Sequence, residues 1–158
     1  MDYNATVFLP DDRATARLAK SVAPYLQPGD TILLEGEIGA GKTHFARAVI
    51  QALLTSDDRP QIEVPSPTYT LVQTYVAPGI EIWHADLYRL ADTSEVAELG
   101  LDDAFQSAIV LVEWPDRLED PPEDALTLRF ESKGDGRQAK FRSTAPRWSG
   151  LDELIRHV

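Results

Sequence analysis

Residues 35–44 read EGEIGAGKTH, and this glycine-rich stretch decides the fold class of the chain. Within it, the segment from Gly36 to Thr43 matches the pattern G-x-x-x-x-G-K-[ST]. Glycines allow backbone N–H groups to converge on phosphate oxygens, the lysine adds a positive charge, and the final hydroxyl can bind Mg²⁺. The stretch therefore predicts a loop that binds the phosphates of a nucleotide.

The segments on either side of this loop favour the same interpretation. Thr31–Glu35 is a compact apolar strand that runs directly into the loop, and from Thr43 onward apolar residues recur at helical spacing. Phosphate-binding loops lie between a strand and a helix, because the helix N-terminus adds partial positive charge. The alternative, a tight turn without a ligand, is therefore disfavoured.

The remaining pattern places this unit in a mixed sheet. Asp11 and Asp12 start a helical pattern that we expect to end or kink before Pro24. Residues 71–76 and 80–86 are separated by a Pro-Gly turn, which predicts an antiparallel hairpin. Further strands are predicted at residues 7–9, 108–112, 125–130 and 139–142, and further helices at 94–100 and from about 150. We therefore expect one α/β domain over residues 1–158, a P-loop NTPase whose mixed parallel and antiparallel sheet is flanked by helices.

Composition limits the classes of protein to which the chain can belong. With 158 residues, of which 43% are hydrophobic, it can bury one sizeable core, and without cysteine it has no disulfide and no thiolate metal site. The start of the sequence shows neither a basic leader nor the apolar core of a signal peptide. The longest apolar run, residues 108–112, is too short to cross a bilayer. We expect a cytoplasmic protein without a membrane role.

Charge argues against direct binding of nucleic acid. The net charge is −11, so the chain as a whole repels a phosphate backbone. Residues 131–147 are the exception, because five lysine and arginine residues stand there against two acidic residues. This segment, the basic edge, is either a solvated surface or an anion-facing one. A role in nucleic-acid chemistry would require a partner that holds the nucleic acid.

Two acidic residues at the ends of predicted strands are candidates for work at the nucleotide. Glu113 ends the apolar run IVLVE, and Asp86 ends IEIWHAD. Because the C-terminal ends of parallel strands meet the phosphates in this fold class, both carboxylates could lie beside one nucleotide-bound Mg²⁺. The alternatives are a Glu113 that only reaches solvent and an Asp86 that forms a cap or an ion pair with Arg89.

Other residues carry weaker signals. Thr68 lies in SPTYT, where its hydroxyl could sense the nucleotide or only cap a turn. Trp114 could pack near the nucleotide or belong to the core. His44 and His84 have no partners at the spacing of metal ligands, which argues against a metal role for either.

Five blocks of sequence occur in an order and spacing that point to one family. They lie between residues 36 and 118 and read GEIGAGKTHFAR, SPTYTLVQTY, HADLYRL, LGLDD and VEWPDRL. Together they resemble the TsaE family, also called YjeE, and LPDDRAT near the start and GDGR near the end are similar to it as well. The phosphate-loop motif alone is unspecific, whereas its combination with SPTYTLV, H-x-D-L-Y-R-L and an E-W pair is highly specific.

The resemblance implies a bacterial P-loop ATPase that supports formation of threonylcarbamoyladenosine on tRNA. Members of that family work with the TsaD and TsaB proteins. TsaD carries the transfer chemistry, and ATP hydrolysis by TsaE lets the complex turn over repeatedly. ATP and Mg²⁺ are therefore the implied cofactors, and tRNA is reached only indirectly through the partner. The negative net charge of the chain agrees with an arrangement in which a partner holds the tRNA and this chain hydrolyses ATP.

The resemblance also assigns roles to residues of the phosphate loop and the strand ends. The positions that hold the phosphates correspond to Ile38, Gly39, Ala40, Gly41, Lys42 and Thr43. Thr43 and Glu113 would bind Mg²⁺. Asp86 would lie at the nucleotide and be needed for hydrolysis, together with Lys42 and Glu113.

Four further positions match functional positions of the family. Asp12 and Arg137 match positions beside the nucleotide. Thr68 lies in the switch-like SPT segment, and Trp114 matches a tryptophan needed for activity. The basic edge is then a candidate nucleotide or partner surface.

The sequence departs from the family pattern at two places. Glu37-Ile38 replaces the commoner Asp-Leu, and His44 follows Lys-Thr where a hydroxyl residue is usual. Neither place changes the type of a phosphate-binding residue. His44 either alters nucleotide affinity or its pH dependence, or is an outward-facing helix residue.

Two other functions compete with the ATPase interpretation. A small-molecule or nucleotide kinase also begins with a phosphate loop and an acid, but it needs a lid or an arginine-rich segment that excludes water, and the sequence shows no clear lid insertion. A nucleotide-sensing module without useful hydrolysis is disfavoured by the pair Glu113 and Asp86.

Overall fold

The computed structural model describes residues 2–37, 39–55, 64–65, 67, 71–90, 92–156 and 158. The strands are β1 (Tyr3–Leu9), β2 (Thr31–Glu35), β3 (Val72–Ala77), β4 (Ile80–Asp86), β5 (Ile109–Glu113), β6 (Leu126–Lys133) and β7 (Gly136–Ser143). The α-helices are α1 (Asp12–Val22), α2 (Lys42–Leu54), α3 (Leu101–Ser107) and α4 (Leu151–Ile155). Short 3₁₀ segments lie at Ala23–Tyr25, Thr93–Leu99, Pro115–Arg117 and Pro146–Gly150.

The strands form one seven-stranded sheet in the order β1-β7-β6-β2-β5-β4-β3. Its centre is parallel, because β2 pairs in parallel with both β5 and β6, and β4 pairs in parallel with β5. Antiparallel pairs widen it on both sides, with β3 against β4 at one end and β6 against β7 against β1 at the other. The α/β class, the mixed sheet and the hairpin of residues 71–86 are therefore confirmed.

Alternate residues of the central strands face two different apolar layers. On β5, Ile109 and Leu111 pack into the core that includes α1 and α2, whereas Val110 and Val112 pack into the core that includes α3. All four side chains are fully buried, and each contributes roughly 1.5–3 kcal/mol by leaving water. A strand buried on both faces reads as a continuous apolar run, which is why this strand was recognisable from sequence.

Helix α1 begins and ends where its sequence predicts. The Asp11 side chain caps the helix by accepting a hydrogen bond from the Ala14 backbone N–H at 2.9 Å. The α-helix stops at Val22, and Pro24 lies in the following 3₁₀ turn. No helix within the described part of the chain is both long and apolar enough to span a membrane.

Some elements differ from their predicted form. β1 begins four residues earlier than predicted, because it pairs with β7 along its whole length, from Tyr3 opposite Ser143 to Leu9 opposite Arg137. The helix predicted at 94–100 is a 3₁₀ segment, Thr93–Leu99, and Gly100 follows it with a φ of +82° that favours glycine. Helix α3, which follows at once, was not predicted, since its seven residues are too few for a clear period.

Gly36 supplies a test of the loop that leaves β2. Its φ is +137°, and a Cβ added there would lie 2.7 Å from the carbonyl oxygen of Phe130 on the neighbouring β6. The backbone conformation and the collision both oppose a side chain, so we expect Gly36→Ala to lower the free energy of unfolding. The decrease should be about 1 to 3 kcal/mol larger than for a Gly→Ala change at a position that has a positive φ but no collision.

Gly79→Ala is the matched control for that measurement. Gly79 also has a positive φ, +75°, but nothing lies within 4 Å of the position of its added Cβ. Chemical denaturation of the two variants separates collision from conformational strain. Equal losses of stability would show that Gly36 is not pressed against β6.

Candidate functional site

Three parallel strands end side by side at one edge of the sheet. In the register of the sheet Leu34 lies opposite Glu113, and Glu113 lies opposite Asp86, so β2, β5 and β4 end at the same edge of the sheet. The chain leaves β2 through the glycine-rich loop and enters α2 at Lys42. The first turn of α2 has unpaired backbone N–H groups, and it therefore begins at the same edge of the sheet as Glu113 and Asp86. This arrangement is typical of phosphate-binding folds.

Lys42 is folded back over the loop that precedes it. Its side chain is only 5% exposed, and Nζ donates hydrogen bonds to the carbonyl oxygens of Gly36 and of Glu37, the latter at 3.0 Å. Nζ also lies 3.9 Å from the centre of the Trp114 ring. An ammonium has three N–H donors, so one is left for a further acceptor such as a phosphate oxygen.

Burial and the neighbouring acids act on Lys42 in opposite directions. Burial lowers the pKa of the Lys42 ammonium, while the charges of Glu113, Asp86 and Asp116 raise it. A cation already held close to carboxylates and an aromatic ring is a point charge placed in advance of any ligand.

Glu113 lies at the centre of the site. It is 1% exposed, yet both of its carboxylate oxygens are paired. Thr43 donates its hydroxyl to Oε1 at 2.6 Å, and His84 lies with Nε2 2.7 Å from Oε2. The simple alternative for Glu113, a strand-end acid in solvent, is therefore wrong: its carboxylate joins the start of α2 to β4.

Asp86 lies beside Glu113 at the end of the next strand. Its Oδ1 accepts the backbone N–H of Tyr88 at 3.1 Å, so it does form the local cap that was one of the alternatives for this residue. The side chain is 6% exposed and lines the pocket at the same time. Burial is the main cause that raises the pKa of Asp86, and the charge of Glu113 raises it further.

The opposite wall of the pocket comes from α1, α2 and β7. Arg137 donates hydrogen bonds to the carbonyl oxygen of Gly39 at 2.7 Å and to Asp12 Oδ1 at 3.2 Å. His44 Nε2 lies 3.1 Å from the backbone carbonyl oxygen of Asp12 and is positioned to donate to it. His44 is exposed and also lines the pocket, so neither of its two predicted roles is excluded.

The pocket between these walls has a volume of ≈ 440 Å³, within the range of roughly 300–1,000 Å³ that is common for ligand sites. Its lining includes most of the residues that the sequence singled out: Asp12, Gly39, Gly41, Lys42, Thr43, Asp86, Glu113, Trp114 and Arg137. Ala40 lines a second pocket on the other side of the loop, and its N–H already bonds the Glu37 carbonyl oxygen at 3.0 Å. Ile38 and Thr68 lie outside the described residues.

Trp114 lies between the core and the pocket. It packs against the core on the α3 side, and its ring also lines the pocket and lies 4.8 Å from that of Tyr88, measured between ring centres. Its φ of +60° is unusual for a residue with a side chain, and such strain is concentrated at functional sites.

Three cations of the basic edge have different surroundings. Arg137 reaches the pocket, whereas Lys140 pairs with Glu131 at 3.1 Å and Arg147 pairs with Asp30 on another part of the molecule. Of these three cations, only Arg137 is placed to contact a ligand in the pocket.

The donor set fits Mg²⁺ held together with a nucleotide. The hydroxyl of Thr43 and the carboxylate of Glu113 are oxygen ligands, and they lie next to the ammonium that suits phosphate. Among the residues that the structure describes, no group of three or more His, Cys, Asp or Glu side chains could hold a metal ion by itself. Mg²⁺ commonly binds through one or two carboxylates plus substrate phosphates and water, so a complete protein cage is not needed.

Sequence reasoning missed two residues of the site. His84 lies two positions before Asp86 on the same strand, so period-two alternation puts both on one face, but the pattern H-x-D-L-Y-R-L does not indicate which residue His84 contacts. Tyr88 lines the pocket from the turn after β4, and its aromatic ring carries no motif that distinguishes it from a packing residue.

The fold and the pocket define a P-loop protein with a mixed α/β sheet. Within that class the chain belongs to the TsaE family, because the family model described as Threonylcarbamoyl adenosine biosynthesis protein TsaE matches residues 9–140. The family suggested by the sequence motifs is thereby confirmed.

Similar proteins support the same assignment. The protein named tRNA threonylcarbamoyladenosine biosynthesis protein TsaE from Bacillus subtilis is 35% identical, over 90% of this chain and 89% of that protein. The protein of the same name from Rickettsia conorii is 41% identical, over 67% of this chain and 58% of that protein. The Rickettsia conorii alignment thus spans less than two thirds of that relative's length. The crystal structure of Bacillus subtilis YdiB superposes with a TM-score of 0.75 and 28% identity, covering 99% of this chain and 97% of that one.

The raised pKa of Asp86 predicts how pH changes stability in the absence of ligand. The folded protein disfavours the charged carboxylate, so the contribution of Asp86 is fully favourable below its unfolded pKa of about 3.9 and is lost as pH rises through the higher folded pKa. We therefore expect Asp86→Asn to melt at a higher temperature than the unmodified protein at neutral pH, with the gap closing in acid.

Asp92→Asn is a control for which the expected effect of pH on stability has the opposite sign. Hydrogen bonds from Ser94 lower the pKa of the Asp92 carboxyl, so its contribution to stability is present at neutral pH and is lost as pH falls. Thermal melts of both variants across acidic and neutral pH test the assignment. A lower melting temperature for Asp86→Asn at neutral pH would contradict it.

Proposed function

We propose that this protein is a Mg²⁺-dependent ATPase that supports threonylcarbamoyladenosine modification of tRNA together with the TsaD and TsaB proteins. The observation that carries the proposal is the Thr43–Glu113 hydrogen bond of 2.6 Å, since it joins the metal-binding hydroxyl of a phosphate loop to a buried strand-end carboxylate. Membership of the TsaE family supports the pathway, and the names of similar proteins refer to the same modification.

Each residue of the pocket has a task in this proposal. The N–H groups of the loop and of the start of α2, with Lys42, bind the phosphates of ATP. Thr43 and Glu113 hold Mg²⁺, which, when bound, neutralises negative charge on the phosphate oxygens. Asp86, next to Glu113 in the sheet register, is placed to orient the attacking water.

Further residues bind ATP from the side of α1. Arg137 and Asp12 are tied to each other and to the loop, so their contacts keep that wall of the pocket in place when the nucleotide enters. Gly41 lies directly under this wall, because a Cβ added to it would lie 3.4 Å from a guanidinium nitrogen of Arg137. Arg137 and Asp12 therefore have a binding role rather than a catalytic one.

The charge of the chain supports a partner-dependent role. A net charge of −11 opposes direct binding of tRNA, so TsaD and TsaB would hold the RNA while this protein supplies ATP hydrolysis. The chain would act as one domain in the cytoplasm. Repeated turnover of the complex would then depend on the nucleotide state of this pocket.

Two substitutions test the ATPase directly. We expect Lys42→Ala and Glu113→Gln each to lower kcat/KM for ATP hydrolysis by at least about 100-fold, because each removes charge stabilisation in a buried site. The measurement is phosphate release by the purified protein with Mg²⁺, with and without TsaD and TsaB. Glu123→Gln, an exposed acid of the loop after Pro115–Arg117, is the matched control and should leave the rate unchanged.

Reconstituted tRNA modification tests the biological part of the proposal. With TsaD, TsaB and the threonylcarbamoyl-adenylate supply in place, the unmodified protein should permit many rounds of modification, and Glu113→Gln should not. Multiple turnovers that proceed equally well without this chain would contradict the proposed function. ATP consumption that requires an added small-molecule phosphoryl acceptor would identify a kinase instead.

A further inference from the structure

The second oxygen of Glu113 is held by a residue that no phosphate-loop motif contains. His84 lies on β4, opposite Leu111 of β5, and its side chain is fully buried. Nε2 approaches Glu113 Oε2 at 2.7 Å, while Thr43 occupies Oε1. The carboxylate is therefore fixed at both ends, and its two oxygens are no longer equivalent.

The surroundings of His84 determine the role of its ring. Nδ1 is buried and has no hydrogen-bond partner among the described residues. Because a carboxylate accepts hydrogen bonds, Nε2 is the atom of the ring that donates to Glu113. With Nε2 engaged by the carboxylate and Nδ1 enclosed in the core, His84 is placed to act on the site through Glu113.

We propose that His84 is a positioning residue that orients Glu113 toward Mg²⁺. By donating to Oε2, it directs Oε1 to the side of Thr43, where the metal-binding hydroxyl lies. Outer hydrogen bonds of this kind typically change metal affinity by about 10- to 100-fold. This inference rests on the proposed Mg²⁺-dependent nucleotide site and adds to it a residue that sets metal affinity.

A purely structural role for His84 makes a different prediction. The same hydrogen bond also ties β4 to β5, so its loss lowers stability in either case. Only the positioning role predicts a selective loss of the effect of Mg²⁺ on nucleotide binding. The metal-free affinity for nucleotide should persist, because Lys42 and the loop N–H groups are unchanged.

The test compares two amides that differ in reach. In His84→Gln the side-chain NH₂ can take the place of Nε2 and donate to Glu113. In His84→Asn the side chain is one methylene shorter, so its NH₂ lies near the place of Nδ1 and does not reach Glu113. Isothermal titration calorimetry with AMP-PNP, in excess MgCl₂ and in EDTA, gives the ratio of the two affinities for each protein. Ile82→Val, a buried change on the same strand and the same face, is the control for packing loss.

We expect His84→Asn to reduce the Mg²⁺ enhancement of AMP-PNP binding by about 10- to 100-fold. The enhancement should stay near that of the unmodified protein in His84→Gln and in Ile82→Val. Equal enhancement in the Asn variant and the unmodified protein, or equal loss in the Asn and Gln variants, would overturn the inference while leaving the proposed function intact. Absence of AMP-PNP binding by the unmodified protein would overturn both.

Discussion

The buried carboxylate of Glu113 is the constraint on which the candidate site depends. A carboxylate that is almost removed from water is costly unless both oxygens are paired, and the partners here come from two different elements. Thr43 bonds to Glu113 from the first turn of α2, and His84 bonds to it from β4. Satisfying one buried charge therefore sets the position of the helix N-terminus relative to the sheet, which is the geometry that phosphate binding needs.

The parallel register places two further segments of the chain beside Glu113. Because Glu113 lies opposite both Leu34 and Asp86, the loop that follows β2 and the turn that follows β4 begin on either side of the same carboxylate. Without that register, the hydroxyl of Thr43 and the carboxylate of Asp86 would not share a pocket. The antiparallel hairpin β6–β7 then closes the far side, since Arg137 near its turn reaches the loop at Gly39.

Several unfavourable features are concentrated around the pocket. Trp114 has a positive φ despite its side chain, and burial opposes the charges of Lys42 and Asp86. Each of these costs folding free energy, and the well-packed layers on both faces of β5 offset that cost. Strain and desolvation in one place are typical of sites that are shaped for a ligand.

Local patterns predicted the phosphate loop, the strand ends and the hairpin, because each has its own short-range signature. Glu113 and Asp86 could be named since an acid that ends an apolar strand is visible in the sequence. The partnership of His84 with Glu113 could not, because it joins residues 29 positions apart and depends on which strands pair. The length of β1 was missed for the same reason, since pairing with the distant β7 determines it.

A crystal structure with AMP-PNP and MgCl₂ tests the central claim most directly. We expect phosphate oxygens within hydrogen-bond distance of Lys42 Nζ, and Mg²⁺ at about 2.1 Å from the Thr43 hydroxyl oxygen on the side of Glu113. We also expect the hydrogen bond between His84 and Glu113 to be kept. A nucleotide bound elsewhere, or a metal ion that contacts neither Thr43 nor Glu113 directly or through water, would contradict it.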